Sequence, residues 1–101
     1  MNRRLELQAK LEELLGSRNV YYQPPENLKM EYPCIRYSKT KIVSYHADNT
    51  KYRNMDCYDL IIIDKKADNP VISKILTLKY TYYDRRYTSD NLYHDVIRIY
   101  Y

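Results

Sequence analysis

A chain of 101 residues with a formal net charge of +4 is long enough for one domain with a single hydrophobic core. Its 17 basic and 13 acidic residues are interspersed, which argues against a dedicated DNA-binding module, and its single glycine argues against glycine-rich phosphate loops. No apolar run approaches the roughly 20 residues of a membrane span, and the charged start Met1–Arg4 does not resemble a signal peptide, so we expect synthesis and folding in the cytoplasm.

The aromatic content consists of 14 tyrosines, without phenylalanine or tryptophan. A tyrosine ring buries apolar area, but its hydroxyl needs a partner or water. Tyrosine is enriched in protein interfaces and also has a high strand propensity. The composition therefore indicates either half-exposed surfaces for protein contact or simply a strand-rich fold, and both interpretations stay open.

The chain is predicted to begin with an amphipathic helix from Asn2 to Leu15. Leucines recur along this segment at helical spacing and form one apolar face, so we expect it to pack against the rest of the domain. Gly16 is placed to end the helix in a left-handed conformation. The apolar face consists of Leu7, Leu11, Leu14 and Leu15.

Two strands are predicted next. The first, Val20–Tyr22, is followed by Pro24 and Pro25, which cannot donate hydrogen bonds within a sheet. After a polar connection, Cys34–Ser38 forms the second strand, and residues 39–45 are compatible with a bulged continuation of it.

This second strand is predicted to be the first arm of a long antiparallel hairpin. The turn, His46–Lys51, is rich in residues whose side chains bond their own backbone, and Tyr52–Ile63 is the return strand. The run Leu60–Ile63 is aliphatic and mostly β-branched, which favours a strand with both faces at least partly covered.

The C-terminal part predicts a second helix and two further strands. Asn69 suits an N-cap and Pro70 the first turn, and an apolar stripe extends the helix to about Leu78. The rest of the chain divides into a strand, a polar connection and a final strand, namely Lys79–Tyr83, Asp84–Asn91 and Leu92–Tyr101.

The order helix, three strands, helix, two strands predicts an α+β fold. We expect a mainly antiparallel sheet with the helices packed on it and a long central hairpin. Neither repeats nor linkers interrupt the chain, so residues 1–101 are predicted to form a single domain.

Histidine and carboxylate pairs are the first candidates for chemistry. His46 with Asp48 and His94 with Asp95 lack the Gly-framed serine or cysteine that a nucleophilic mechanism requires. Asp56, Asp59 and Asp64 suggest a metal-dependent nuclease, but strand alternation points Asp59 away from the other two. We therefore expect no catalytic, cofactor-binding or metal-binding residues.

The two cysteines, Cys34 and Cys57, both fall in predicted strands. Their spacing fits no zinc motif, and two thiols in a cytoplasmic chain are usually reduced. Buried small hydrophobic side chains are the favoured interpretation. A cross-strand disulfide stays possible if the two strands pair in the required register.

Two stretches are candidates for binding. The hairpin carries basic residues interleaved with Tyr45 and Tyr52, a pattern that fits nucleic-acid binding, protection of an edge strand by lysines, or contact with a neighbouring protein. Asp84-Arg85-Arg86-Tyr87 suits an interface, because arginine binds carboxylates bidentately, or an ordinary solvated loop. The basic residues of the hairpin are Lys39, Lys41, Lys51 and Arg53.

Motifs along nearly the whole chain resemble a small family of tailed-bacteriophage proteins, the tail-completion or tail-terminator proteins of long-tailed phages. These motifs indicate a relationship to the family rather than a chemical mechanism. They are Gly16-Ser17-Arg18-Asn19-Val20-Tyr21-Tyr22-Gln23-Pro24-Pro25, Met30-Glu31-Tyr32-Pro33-Cys34-Ile35, Ala47-Asp48-Asn49 with Tyr52, Ile63-Asp64-Lys65, Asp84-Arg85-Arg86-Tyr87, and Asn91-Leu92-Tyr93-His94.

The resemblance implies a structural virion protein at the head–tail junction, without enzymatic activity or cofactor, assembled in the bacterial cytoplasm. Such α+β subunits form rings, commonly hexameric, that cap the tail tube and join it to the head. The implied partners are further copies of the chain, the tail-tube protein and the head-connector proteins, with genomic DNA only passing through the ring. A head-completion (connector or stopper) role at the same junction stays open, and a small basic nucleic-acid-binding module is the alternative from another class.

Within such a ring, we expect two segments to supply much of the contact between subunits. They are the hairpin Cys34–Ile63 and the connection Asp84–Asn91, and the richness in tyrosine motivates both. The candidate interface residues are Tyr45, Tyr52, Arg53, Arg85, Arg86 and Tyr87.

Overall fold

The computed structural model describes residues 3–40 and 55–101. Two helices and five strands follow one another in the predicted order, and the α+β class is confirmed. The elements are α1 (Arg3–Leu15), β1 (Val20–Tyr22), β2 (Cys34–Lys39), β3 (Cys57–Asp64), α2 (Pro70–Ile75), β4 (Thr81–Ser89) and β5 (Leu92–Tyr100).

The strands form one mixed sheet in the order β1-β2-β3-β5-β4. The pairs β2–β3, β3–β5 and β5–β4 are antiparallel, whereas β1 runs parallel to β2. The predicted antiparallel arrangement is therefore only partly correct. The connection of residues 23–33 is long enough to return the chain to the end of the sheet where β1 began, and this return makes the pair parallel.

Both helices pack on the same face of the sheet, which we call the helix face. Leu7 and Leu11 of α1 and Val71 and Ile75 of α2 are buried against alternate residues of the strands. The alternation puts every second strand side chain in the core, as the period of two requires. The strand residues of this core are Val20, Ile35, Tyr37, Tyr58, Leu60, Ile62, Ile97 and Ile99.

Helix α2 begins as its sequence predicts. The Asn69 side chain accepts a hydrogen bond from the backbone N–H of Val71 at 2.9 Å, and Pro70 occupies the first helical position. The helix ends at Ile75, earlier than the predicted Leu78. The Leu78 N–H instead bonds the Ile75 carbonyl, and the Thr77 hydroxyl bonds the Lys74 carbonyl, so the chain leaves the helix in tight turns.

The predicted polar connection Asp84–Asn91 is wrong. Residues up to Ser89 belong to β4, and only Asp90 and Asn91 form the turn to β5, with φ of 53° and 62°. Positive φ at both central residues is typical of the type I′ turn that joins hairpin strands. The segment is polar because β4 is an edge strand, where charged side chains are ordinary.

The central hairpin is described only where its two arms pair. β2 and β3 are antiparallel from Cys34 opposite Ile63 to Lys39 opposite Tyr58, as predicted. Its predicted turn and three of the candidate interface residues (Tyr45, Tyr52 and Arg53) lie outside the described residues.

The possible disulfide is excluded. Cys34 lies opposite Ile63, whereas Cys57 lies at the far end of β3, opposite Tyr100. Six residues of strand separate these positions, a distance of about 20 Å. Both cysteines are free and buried, which confirms their interpretation as small hydrophobic side chains.

Burial of Cys34 predicts a loss of stability in alkali. Burial raises the pKa of its thiol to about 12, whereas an unfolded cysteine titrates near pH ~8.5. Because the folded-state pKa is the higher one, this contribution to stability is complete below pH ~8.5 and is lost as pH rises towards about 12. We expect Cys34→Ala to flatten the fall of the unfolding free energy between about pH 8.5 and 10.5, measured by urea denaturation. Parallel curves for the variant and the original chain would contradict this account.

Candidate subunit interface

The described candidate interface residues, Arg85, Arg86 and Tyr87, are consecutive on β4, an edge strand. On one side β4 pairs with β5, and on the other it pairs with no strand of the described residues. Eight of its nine residues are exposed. Its tyrosines at positions 82, 83 and 87 are 43%, 46% and 37% exposed, which is large for aromatic side chains. This strand is therefore the most aromatic exposed edge of the described sheet.

A β-bulge at Asp84 determines which face each β4 side chain occupies. Tyr83 lies opposite Ile97 and Arg86 opposite Asp95, so both tyrosine and arginine are on the helix face. The register shifts between Tyr83 and Arg85, and Asp84 is the additional residue. A bulge places one extra residue in one strand and so resets the alternation.

On the helix face, Arg86 is engaged within the chain. Its guanidinium donates to both carboxylate oxygens of Asp95, at 2.9 and 3.1 Å, and to the carbonyl of Ala67 at 2.7 Å. The Tyr83 hydroxyl donates to the same carboxylate at 2.5 Å, and this hydrogen bond raises the pKa of Tyr83. Asp95 is only 3% exposed. This bidentate pair fixes the edge strand to the domain, so we assign Arg86 a structural role.

On the opposite face, Arg85 and Tyr87 remain at the surface. The Arg85 guanidinium bonds the neighbouring Asp84 carboxylate at 2.6 Å and lies 5.7 Å from the centre of the Tyr87 ring. Tyr87 stacks on His94 with ring centres 4.6 Å apart and an angle of 14° between the rings. Tyr82 packs edge-on against Tyr100 at 6.1 Å. These rings are held in place by their neighbours while their outer sides stay exposed.

The histidine and carboxylate candidates within residues 3–40 and 55–101 do not converge, and the pair His46 with Asp48 lies outside the described residues. His94 is on the opposite face from Asp95, and its Nδ1 lies 3.1 Å from the Leu92 carbonyl oxygen. Asp59 pairs with Arg98 at 3.1 Å on that opposite face. Asp56 lies beside Lys39 at 3.2 Å, and the Asp64 carboxylate accepts from Asn69 at 2.7 Å. Each acid thus has its own partner, and residues 3–40 and 55–101 contain no cluster of ligands that could hold a metal ion.

Sequence reasoning missed two members of the β4 surface, namely Tyr82 and Tyr83. The Asp-Asn pair at positions 90 and 91 was a usable signal, because asparagine and aspartate tolerate the left-handed conformation of hairpin turns. A hairpin turn at these two residues implies that the residues before it, as far back as Arg85, belong to a strand. The same turn fixes the register that brings Arg86 opposite Asp95.

None of the helices in the described part of the chain is both long and apolar enough to cross a membrane. Comparisons with protein-family models, with curated proteins and with solved structures gave no match.

Proposed function

We propose that this chain is a structural virion protein of a long-tailed bacteriophage, a subunit of the ring that completes the tail at the head–tail junction. The proposal rests first on the sequence motifs, which resemble tail-completion proteins along nearly the whole chain. In this role the protein binds copies of itself, the tail-tube protein and the head-connector proteins, and DNA passes through the ring. It has no catalytic role.

The single structural observation that supports the proposal is the unlike character of the two sheet edges. One edge is β1, only three residues long, and the other is β4, nine residues long with exposed tyrosines and Arg85. In a closed ring each contact is heterologous, so one surface of a subunit meets a different surface of the next. A subunit with two dissimilar edges at opposite ends of its sheet suits such a contact, and tyrosine and arginine are among the residues enriched in interfaces.

A head-completion protein of the same junction would present the same features, and the test below separates the two roles. The nucleic-acid-binding alternative has less support. Four cations that would contribute to a basic surface lie beside carboxylates, which neutralise them and reduce the attraction for phosphate. They are Lys39 with Asp56, Arg85 with Asp84, Arg86 with Asp95, and Arg98 with Asp59.

The test is to mix the purified protein with purified tail tubes and, separately, with DNA-filled heads, and to image both by negative-stain electron microscopy. We expect rings on the ends of the tubes and a block to further tube growth. Rings on heads but not on tubes would indicate head completion instead. Binding to neither would contradict the proposal.

The contribution of β4 to the ring can be measured with Arg85→Glu, compared with Lys65→Glu, which changes the charge equally at an exposed residue that follows the central strand β3 and belongs to neither sheet edge. We expect Arg85→Glu to raise the protein concentration needed to cap half of the tubes by about tenfold, as for an interface arginine, while Lys65→Glu has no effect. Arg86 is unsuitable for this comparison because its loss would also destabilise the fold. Equal capping by both variants would place the ring contact elsewhere.

A further inference from the structure

The outer edge of β4 has a feature that the ring does not require: its sequence is complementary to itself. Thr81-Tyr82-Tyr83-Asp84 is followed directly by Arg85-Arg86-Tyr87-Thr88. If a second copy of β4 lies antiparallel to the first, with its centre between Asp84 and Arg85, each residue meets a favourable partner. The opposed residues are Asp84 with Arg85, Tyr83 with Arg86, Tyr82 with Tyr87, and Thr81 with Thr88.

These four kinds of pair are those that stabilise neighbouring strands. Opposite charges, aromatic rings and threonines directly across an antiparallel pair each stabilise the pairing relative to alanine. A tyrosine ring beside a guanidinium adds a cation–π contact. The two-fold symmetry of the arrangement provides each pair twice, so the small contributions accumulate.

The bulge at Asp84 is what allows these pairs to share a face. In a regular strand, residues 82 and 87 would point to opposite faces, because they are five positions apart and side chains alternate. The extra residue at Asp84 shifts the alternation by one, so Tyr82 and Tyr87 both lie on the face opposite the helices. By the same shift, Tyr83 and Arg86 both lie on the helix face. The bulge therefore makes the strand symmetric about its own centre.

Charge complementarity is the strongest part of the match. At the centre of the paired strands, two Asp84 carboxylates and two Arg85 guanidiniums alternate in sign. Within one chain, Arg85 already bonds Asp84 at 2.6 Å, and both side chains remain half exposed and within reach of a neighbour. Any register shifted by one residue would bring Arg85 opposite its own copy or Asp84 opposite its own copy, which is repulsive.

We infer that the free protein forms a symmetric dimer in which the β4 strands of two copies pair antiparallel and join the two sheets into one. The inference goes beyond the proposed function and rests on β4 alone. Because it occupies the β4 edge of both copies, this dimer cannot close into a head-to-tail ring through β4. It is a state of the free protein, and ring formation on a tail tube would have to displace it.

The experiment is sedimentation equilibrium of the full chain between about 10 µM and about 1 mM, since a single pair of strands is a small interface and binds weakly. We expect a species of twice the 12.3 kDa mass of one chain. Asp84→Arg and Arg85→Asp each give the centre four like charges, so each should weaken dimerisation by at least about tenfold.

Two rescues make the test specific to this symmetric pairing. The double variant Asp84→Arg/Arg85→Asp again alternates in sign and should dimerise like the original chain. An equimolar mixture of the two single variants should form a heterodimer, because one contributes only positive and the other only negative charges at the centre. Glu26→Arg and Lys29→Asp, in the exposed connection between β1 and β2, are matched controls and should leave the dimer unchanged.

Several outcomes would overturn the inference. They are a monomer at every concentration, a dimer insensitive to both single variants, or a double variant that stays monomeric although its circular dichroism is unchanged. Each of these can occur whether or not the protein caps tail tubes. Failure of the dimer and failure of the ring are therefore distinguished by separate measurements.

Discussion

Replacing Arg86 by leucine should lower the melting temperature of the protein by about 10 °C. The reason is the Asp95 carboxylate, which is 3% exposed and would lose both hydrogen bonds that it accepts from the Arg86 guanidinium. A buried group left without its partner carries the full penalty of desolvation, of order 1–3 kcal/mol. In a domain of about 100 residues each kcal/mol corresponds to roughly 4–8 °C.

The reverse substitution should be milder. Asp95→Leu leaves a guanidinium whose side chain is 39% exposed, and which keeps its bond to the Ala67 carbonyl and reaches water. The double variant Arg86→Leu/Asp95→Leu removes both charges and should melt above Arg86→Leu alone, because an apolar pair of similar shape avoids the buried charge. Differential scanning calorimetry of the three variants measures this order. An Arg86→Leu variant as stable as Asp95→Leu would show that burial of the carboxylate is not the dominant cost.

The parts of the fold that could be predicted are those with local signals. A few neighbouring residues were enough to predict each of these elements. They are the leucine stripe of α1, the aliphatic run of β3 and the Asn69-Pro70 start of α2. The parallel pairing of β1 had no such signal. Val20–Tyr22 is compatible with either direction, and only the path of residues 23–33 decides between them.

The second part of β4, from Asp84 to Ser89, was missed for a different reason. Its charged residues Asp84, Arg85 and Arg86 interrupt the apolar alternation that identifies a half-buried strand, and the bulge shifts what remains of it. Because the strand lies at an edge, burial does not select for apolar residues there.

Composition therefore selected the candidate interface residues, whereas the faces on which they lie could not be predicted from it. Arg85, Arg86 and Tyr87 were selected together as interface residues, and the structure separates them. Arg86 is turned inward to Asp95, whereas Arg85 and Tyr87 lie on the opposite face. Adjacent strand residues point to opposite faces, so a cluster in sequence is divided as soon as it is placed in a strand.

The largest loss of stability is expected from Leu60→Ala, which should lower the unfolding free energy by about 3 kcal/mol, within the range of 2–5 for such substitutions. Leu60 is fully buried on the central strand β3, between Tyr37 of β2 and Ile97 of β5, and beneath the helices. Its truncation leaves a cavity where the two halves of the sheet meet. The total free energy of unfolding of a domain of this size is about 5–15 kcal/mol, so the loss is a large share of it.

Leu76→Ala is the matched control, because Leu76 is 39% exposed just after α2, and its truncation should change the free energy by no more than about 0.5 kcal/mol. Urea denaturation of both variants at one protein concentration gives the comparison, and similar losses of unfolding free energy would contradict the position of Leu60 in the core.

The folded fraction of Leu60→Ala should still dimerise and still cap tubes, since no β4 residue changes. Arg85→Asp should do the opposite, keeping its stability and losing association. These opposite effects of the two variants are expected only if the association surface is an edge strand outside the core. If core elements formed that surface, a variant that destabilises the core would also weaken association.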